Sequence, residues 1–529
     1  MKKSGFTLVE LVGVIIILAL VTLLAIPSIL QAVRGTKEEL SDATKSIIYE
    51  ATQLYVSENP NNFAKKSGNI YCVTLETLTD KEYLPNKVYD SVTGEEIPLD
   101  SKIEVRYEAG NFSYNLNNEC VVHVEYADNS GANRPNLLDN MIPIRYNGTS
   151  WVYADIYQEW YNYDAKQWAN AVVLNSGVSK KVGDTIAEDE IALWYVWIPR
   201  YTYTIFNGNN ESVPEQLIDI KFESGTASSG TVECVDAIVG DVGEESERVS
   251  ETCTDSTNGS IINGTSTYTH PAFTFGNEEL TGFWVGKFEI STTDTTCNTT
   301  PNETNCNKLL PITIKPGVSS FRYATIANFF NSIRNIETEY DINGNSHMIK
   351  NMEWGAVAYL KQSKYGLGET DIAINNNGDT YYTGGGADTA YKTSTNQSTT
   401  GNIYGVYDMS GNAWERVMGN MVNSSGAFYT SSSGFTSAPE DKYYDKYTYN
   451  TSYTDHARGK LGDATKETLV TFGSGTGGWY NDYAPFVGSG YSWFYRGGLY
   501  SYGSNAGVFY SNCSNGGAVS SNSSRAVLS

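Results

Sequence analysis

The stretch from Leu11 to Ile26 carries no charged side chain, and with residues 6–9 it is long enough to cross a bilayer as an α-helix. Lys2 and Lys3 ahead of it hold the N-terminus on the cytoplasmic side. A secretory signal peptide has a shorter apolar core and a small-residue cleavage site behind it, which residues 28–36 do not offer. The helical pattern instead runs on through Lys37-Glu38-Glu39-Leu40 to about Tyr55. From residue 70 to about 124 the period drops to two, as in Tyr71-Cys72-Val73 and Lys102-Ile103-Glu104-Val105-Arg106-Tyr107, which predicts short antiparallel strands. Residues 126–136 are polar and turn-rich and read as a linker. Beyond it, short aromatic strands are expected at 193–205, 282–290 and 496–500. Helices are expected at about 323–336 and 352–360, with loop-rich insertions at about 206–270 and 361–402.

Composition narrows the function. A chain of 529 residues predicts two or three domains. Its 40% hydrophobic and 18% charged residues exclude a disordered acidic tail. A net charge of −24 with no basic stripe argues against nucleic acid as a partner. His123, His270, His347 and His456 are scattered without a second ligand at metal spacing, which argues against a zinc enzyme.

Glu10 is a carboxylate inside the membrane-facing segment, where an unpaired charge costs several kcal/mol and marks a functional position. The segment Gly5-Phe6-Thr7-Leu8-Val9-Glu10-Leu11 resembles the type IV prepilin signature, a family that includes pseudopilins. The resemblance implies a leader of residues 1–5, cut by a prepilin peptidase between Gly5 and Phe6, with methylation of the new N-terminal Phe6. Glu10 then neutralises the Phe6 ammonium of a neighbouring pilin subunit as helices stack in a filament. Pro27 matches the helix-kinking proline of the family. The implied pilin-like domain is 6–125: a long helix over about 6–56 packed on a small antiparallel sheet, closed by a Cys72–Cys120 disulfide.

The remaining cysteines fall into local pairs, Cys234/Cys253 and Cys297/Cys306, with Cys513 left over. No C-x-x-C motif is present, so thioredoxin chemistry and zinc ribbons drop out. Disulfides place the bulk of the chain outside the cytoplasm.

Three segments carry a second resemblance. Gly282-Phe283-Trp284-Val285-Gly286-Lys287-Phe288-Glu289-Ile290, Asn402-Ile403-Tyr404-Gly405-Val406-Tyr407-Asp408-Met409-Ser410-Gly411-Asn412-Ala413-Trp414-Glu415, and Arg496-Gly497-Gly498 with Arg525-Ala526-Val527-Leu528 resemble formylglycine-generating-enzyme-like domains in order and spacing. The implied fold for 137–529, with a lead-in over 137–190, is C-type-lectin-like: a twisted antiparallel sheet, two helices and long loops. Together the two resemblances imply an α+β protein. The family's enzymes use a cysteine pair just past the Gly-Gly strand, but those positions are Tyr502 and Gly507, so oxidase activity is expected to be absent. Asp408, Glu415 and Arg416 read as structural. The family leaves room for structural calcium, with no ligand set identified and no other cofactor expected.

The same scaffold carries the variable proteins of diversity-generating retroelements, whose altered codons lie near the C-terminus. Residues 499–524 contain no Lys, Glu, Gln, Met or Trp, and every residue there can be written by a codon ending in a pyrimidine, as mutated Asn codons require. Ser/Gly-rich composition gives the same pattern. Tyr offers a large amphipathic surface at low rotamer cost, and Asn adapts its hydrogen bonds. Tyr500, Tyr502, Asn505, Tyr510, Asn512, Asn515 and Asn522 are therefore the candidate ligand-binding residues.

Two motifs mislead. Gly473-Ser474-Gly475-Thr476-Gly477-Gly478 matches G-x-G-x-x-G, but no helix follows to receive a pyrophosphate. Asp341-Ile342-Asn343-Gly344-Asn345 hints at a calcium loop, yet Ser346 and Met352 stand where Gly and Glu belong. With no acid, base or nucleophile cluster, the chain is expected not to be an enzyme. It reads as a minor or tip subunit of a type IV pilus-like filament, membrane-inserted and then extracellular, that displays a domain for a surface protein or glycan. The alternative is a pseudopilin of a secretion or DNA-uptake machine.

Overall fold

The computed structural model describes residues 41–63, 65, 69–108, 111–205, 214–230, 267–471 and 477–529. The expected leader, membrane segment, Gly5, Phe6, Glu10 and Pro27 lie outside the described residues, as do Cys234 and Cys253. Among the described residues no helix is long and apolar enough to cross a membrane. The chain divides into a first unit that closes at Glu125 and a second, Tyr126–Ser529.

In the first unit a helix spans Asp42–Glu58, capped by Ser41, whose side chain accepts from the Thr44 N–H. It buries Ile48, Ala51 and Val56, spaced to share one face. These pack with Val73, Leu75, Leu78, Ile103 and Val105 in one core. The sheet is three antiparallel strands in order, Ile70–Thr74, Lys102–Glu108 and Asn111–Leu116. Cys72 and Cys120 form a disulfide.

In the second unit eight antiparallel strands make the main sheet, in the order Ser346–Met348, Ala526–Leu528, Gly282–Gly286, Ile191–Pro199, Asn170–Leu174, Met141–Tyr146, Trp151–Tyr153 and Thr185–Ile186. The Ile191–Pro199 strand is buried at every position, covered on both faces as a near-continuous apolar run allows. Trp151, Trp168, Trp194, Trp197, Trp284 and Trp354 fill the core. A five-stranded sheet is built around Trp414–Met421, flanked by Asp445–Tyr447, Trp493–Arg496 and, at its start, Asn522–Ser524, with Ser511–Ser514 outside Trp493–Arg496. Cys297 and Cys306 form a second disulfide.

This architecture corrects the α+β expectation. Among the described residues the regular structure is mostly β-strand with seven short α-helices, and the expected long helix over 6–56 is described only as Asp42–Glu58. Among the described residues the larger unit has five α-helices, not two, the longest being Asn351–Lys361. The physical reason is composition: Tyr, Trp, Val and Thr favour pleated, half-buried surfaces, while frequent Gly, Asn and Ser stop helices after one or two turns.

Candidate ligand-binding surface

The surface is built by a chain reversal after the Trp493–Arg496 strand. Gly497 and Gly498 both adopt φ of 78°, and a Cβ on Gly498 would stand 2.6 Å from the Ala506 Cβ. Only glycine allows that approach, and it throws the turn Tyr500–Asn505 outward before the chain dives back at Ala506. The return strand Ser511–Ser514 pairs antiparallel with Trp493–Arg496, setting Asn512 opposite Tyr495. The end is pinned twice. Asn522–Ser524 runs parallel to Trp414–Arg416, and Ala526–Leu528 inserts between Gly282–Gly286 and Ser346–Met348.

The turn gathers aromatic rings. Trp414 stacks on Tyr495 with centroids 5.3 Å apart and meets Tyr502 edge-on at 5.4 Å. The Arg416 guanidinium lies over the Tyr495 ring at 5.0 Å. Tyr500 meets Tyr381 edge-on at 5.3 Å, and its hydroxyl donates to Asp379, which raises the Tyr500 pKa. Tyr502 is 38% exposed.

Of the seven candidate residues, Tyr502, Asn505 and Asn515 are exposed, and Tyr500 and Asn512 are half-buried. Tyr510 and Asn522 are not at the surface. Tyr510 is buried, and its hydroxyl accepts from Trp414 Nε1 at 3.2 Å and Asn512 Nδ2 at 3.0 Å. Asn522 is buried with its amide against the Tyr495 hydroxyl and the Arg416 guanidinium. Both residues support the surface from beneath, Tyr510 in the buried run that follows Ala506 and Asn522 in a strand buried at every position. Trp414, Tyr381 and Arg322 belong to the same cluster but lie 86 to 178 positions before Tyr500, so no local pattern marks them, while Tyr495, just ahead of the turn, joins it by stacking on Trp414.

Below the surface lies a cluster of buried acids. Arg525 Nε and Nη2 donate to the two Glu415 carboxylate oxygens at 2.9 and 2.5 Å, and the same guanidinium donates to the carbonyls of Gly286 and Tyr407. Asp408 accepts from Asn375 Nδ2 and the Gly384 N–H, both at 2.8 Å. Glu289 accepts from the Ala413 N–H at 3.1 Å, but its second oxygen is buried without a partner. Burial, then the charges of Glu415 and Asp408, push the Glu289 pKa far up. Burial also pushes Glu415 up, to about 7, against the pull of Arg525.

Cys513 is a free thiol, half-buried, whose pKa burial pushes up to about 11. Among the described residues no three His, Cys, Asp or Glu side chains are grouped to hold a metal. Residues 473–476 of the Gly-rich segment lie outside the described residues. Asp341 adopts φ of 50° in a turn, where its carbonyl accepts from Asn140 Nδ2.

No family model matches the chain, and no curated protein matches it.

Proposed function

We propose that this chain is a minor or tip subunit of a type IV pilus-like filament, and that the Tyr126–Ser529 unit recognises a surface protein or glycan without catalysis. The observation that carries the reading is the cluster of Tyr500, Tyr502, Asn505, Asn512 and Asn515 on one Gly-Gly reversal, beside Trp414. Rigid aromatic rings with adaptable amides around them are what non-covalent recognition uses. The filament part of the proposal rests on the prepilin-like residues Gly5, Phe6 and Glu10. The minor or tip position rests on size, since a head this large would crowd every position of a dense filament. The composition of 499–524 adds the proposal that this tract is diversified by a retroelement.

The test is binding of the detergent-solubilised full chain to arrays of glycans and of purified surface-protein ectodomains, beside the Y500A/Y502A double variant. Retention of a probe by the parent chain and its loss in the variant is expected. Equal retention by both, or by neither, overturns the recognition surface. Mass spectrometry of sheared filaments tests the placement: recovery at low abundance is expected, and absence from filaments favours the pseudopilin reading instead.

A further inference from the structure

Arg322 is buried to 7% exposure at the edge of the tyrosine surface. Its guanidinium packs on the Tyr381 ring at 3.9 Å, and Tyr381 in turn meets Tyr500 edge-on. On the other side, Arg322 Nη1 donates to the Ser520 carbonyl at 2.6 Å, and the neighbouring Tyr323 N–H donates to the Val519 carbonyl. Arg322 thus sits at the seam between the Tyr500–Asn505 turn and the exposed positions Val519 and Ser520.

Its hydrogen bonding is incomplete. A guanidinium carries five N–H donors, and among the described residues this one makes a single hydrogen bond, to a neutral carbonyl, with Nε buried and unpartnered. No carboxylate of the described residues pairs with it. The two nearest acids are otherwise disposed: burial holds Glu289 towards its neutral form, and Asp379 accepts from the Tyr500 hydroxyl. A desolvated cation without a counter-ion is costly, and one at the edge of an exposed surface is placed to take its missing charge from a ligand. Buried Arg525, by contrast, is paired with Glu415 in full.

We propose that Arg322 anchors a carboxylate carried by the ligand, and that this is an Asp or Glu side chain of a partner protein. The inference deepens the recognition surface and rests on that reading for its biological setting. A protein partner is favoured because the rings of Tyr381 and Tyr500 and the exposed apolar Val519 lie around one arginine, the pattern of a protein–protein hot spot. A chain of net charge −24 repels strongly acidic polymers, so a single carboxylate on a near-neutral surface is the matching chemistry.

The test is ligand-observed saturation-transfer NMR on the full chain in detergent, with N-acetyl-aspartate α-amide against its neutral isostere N-acetyl-asparagine α-amide. N-acetylneuraminic acid against N-acetylglucosamine forms the second arm. Saturable binding of the aspartate probe only, weakened about tenfold or more in R322Q, is expected. R322K keeps the charge but not the planar fork, and an intermediate loss is expected there. Both variants are checked by circular dichroism, and the comparison of paired probes on the parent chain needs no variant. Equal binding of aspartate and asparagine probes, or binding unchanged in R322Q, overturns the anchor. Binding of the acidic sugar without the aspartate probe overturns the protein assignment. If an array ligand is lost in Y500A/Y502A but kept in R322Q, the anchor fails while the recognition surface stands. If the aspartate probe binds through Arg322 while the arrays stay silent, the surface reading fails instead.

Discussion

Arg525 and Glu415 face each other as a bidentate pair, at 2.9 and 2.5 Å, with neither side chain reaching solvent. The pair closes the register in which Asn522–Ser524 runs beside the start of the Trp414–Met421 strand, and so it fixes where the surface tract ends. Removing one partner leaves an uncompensated buried charge. R525Q and E415Q are each expected to cost about 3–5 kcal/mol in urea unfolding. The double replacement R525M/E415L is expected to cost less than the two singles added, because it removes both charges. It stays destabilising, since the Gly286 and Tyr407 carbonyls lose their donor. Strict additivity would show that the two charges do not couple.

Glu289 makes stability depend on pH. Burial and the nearby Glu415 and Asp408 carboxylates raise its folded pKa above the unfolded value, with Arg525 opposing. A raised carboxyl pKa means that the folded state holds a proton the unfolded chain releases. The stability from this group is therefore present below the unfolded pKa and falls as pH rises towards the folded one. E289Q keeps the shape and cannot ionise. The difference in stability, variant minus parent, is expected to grow in the variant's favour from pH 5 to pH 8, by up to about 1.4 kcal/mol per pH unit. A difference that stays flat across that range would mean Glu289 titrates alike in both states. Asp408 and Glu415, also raised by burial, tilt the parent curve the same way, which is why the difference is the quantity to read.

The sequence made some of this architecture readable and hid the rest for physical reasons. The alternation in Lys102-Ile103-Glu104-Val105-Arg106-Tyr107 marks a half-buried strand, and Lys102–Glu108 is one. The pairings Cys72–Cys120 and Cys297–Cys306 follow proximity along the chain and both exist. Fold class was not legible. Helical stretches such as Thr295–Thr299, capped by Asp294, and Ile336–Glu339, held by burial of Ile336, do not rest on propensity, so their number does not show in the pattern. At the C-terminal tract, residue type alone does not separate exposed Tyr and Asn from buried ones. Which of them face outward depends on where the chain dives back at Ala506 and on the long-range parallel pairing of Asn522 with Trp414. Arg322 was invisible because nothing near it in sequence shows that it lacks a counter-ion.

The two disulfides are expected to contribute unequally. Cys72 and Cys120 are 48 positions apart and Cys297 and Cys306 only 9, so the first removes more freedom from the unfolded chain. On chain-entropy grounds, C72S/C120S is expected to lose about 4 kcal/mol and C297S/C306S about 2.5 kcal/mol. Because the first lies in the unit that closes at Glu125, its loss is expected to lower a separate, earlier calorimetric transition. Equal shifts for both variants would show that the constraint on the unfolded chain does not govern their contribution.

Within 499–524, exposed and buried positions are expected to differ in what their substitution costs. Tyr502 is exposed and touches Trp414 only edge-on, so Y502A is expected to cost about 1 kcal/mol or less. Tyr510 and Asn522 lie where water does not reach. Y510F strands the Trp414 and Asn512 donors, and N522A strands Arg416 and the Tyr495 hydroxyl. Each is expected to cost about 1–3 kcal/mol. The same physics constrains any natural variation. Sequencing codons 490–529 from many cells of one lineage is expected to find substitutions at 502, 505 and 515 and few at 510 and 522. Variation spread evenly over all five positions would show that the inward-facing residues tolerate exchange, and that the tract is not organised as an exposed face on a fixed base.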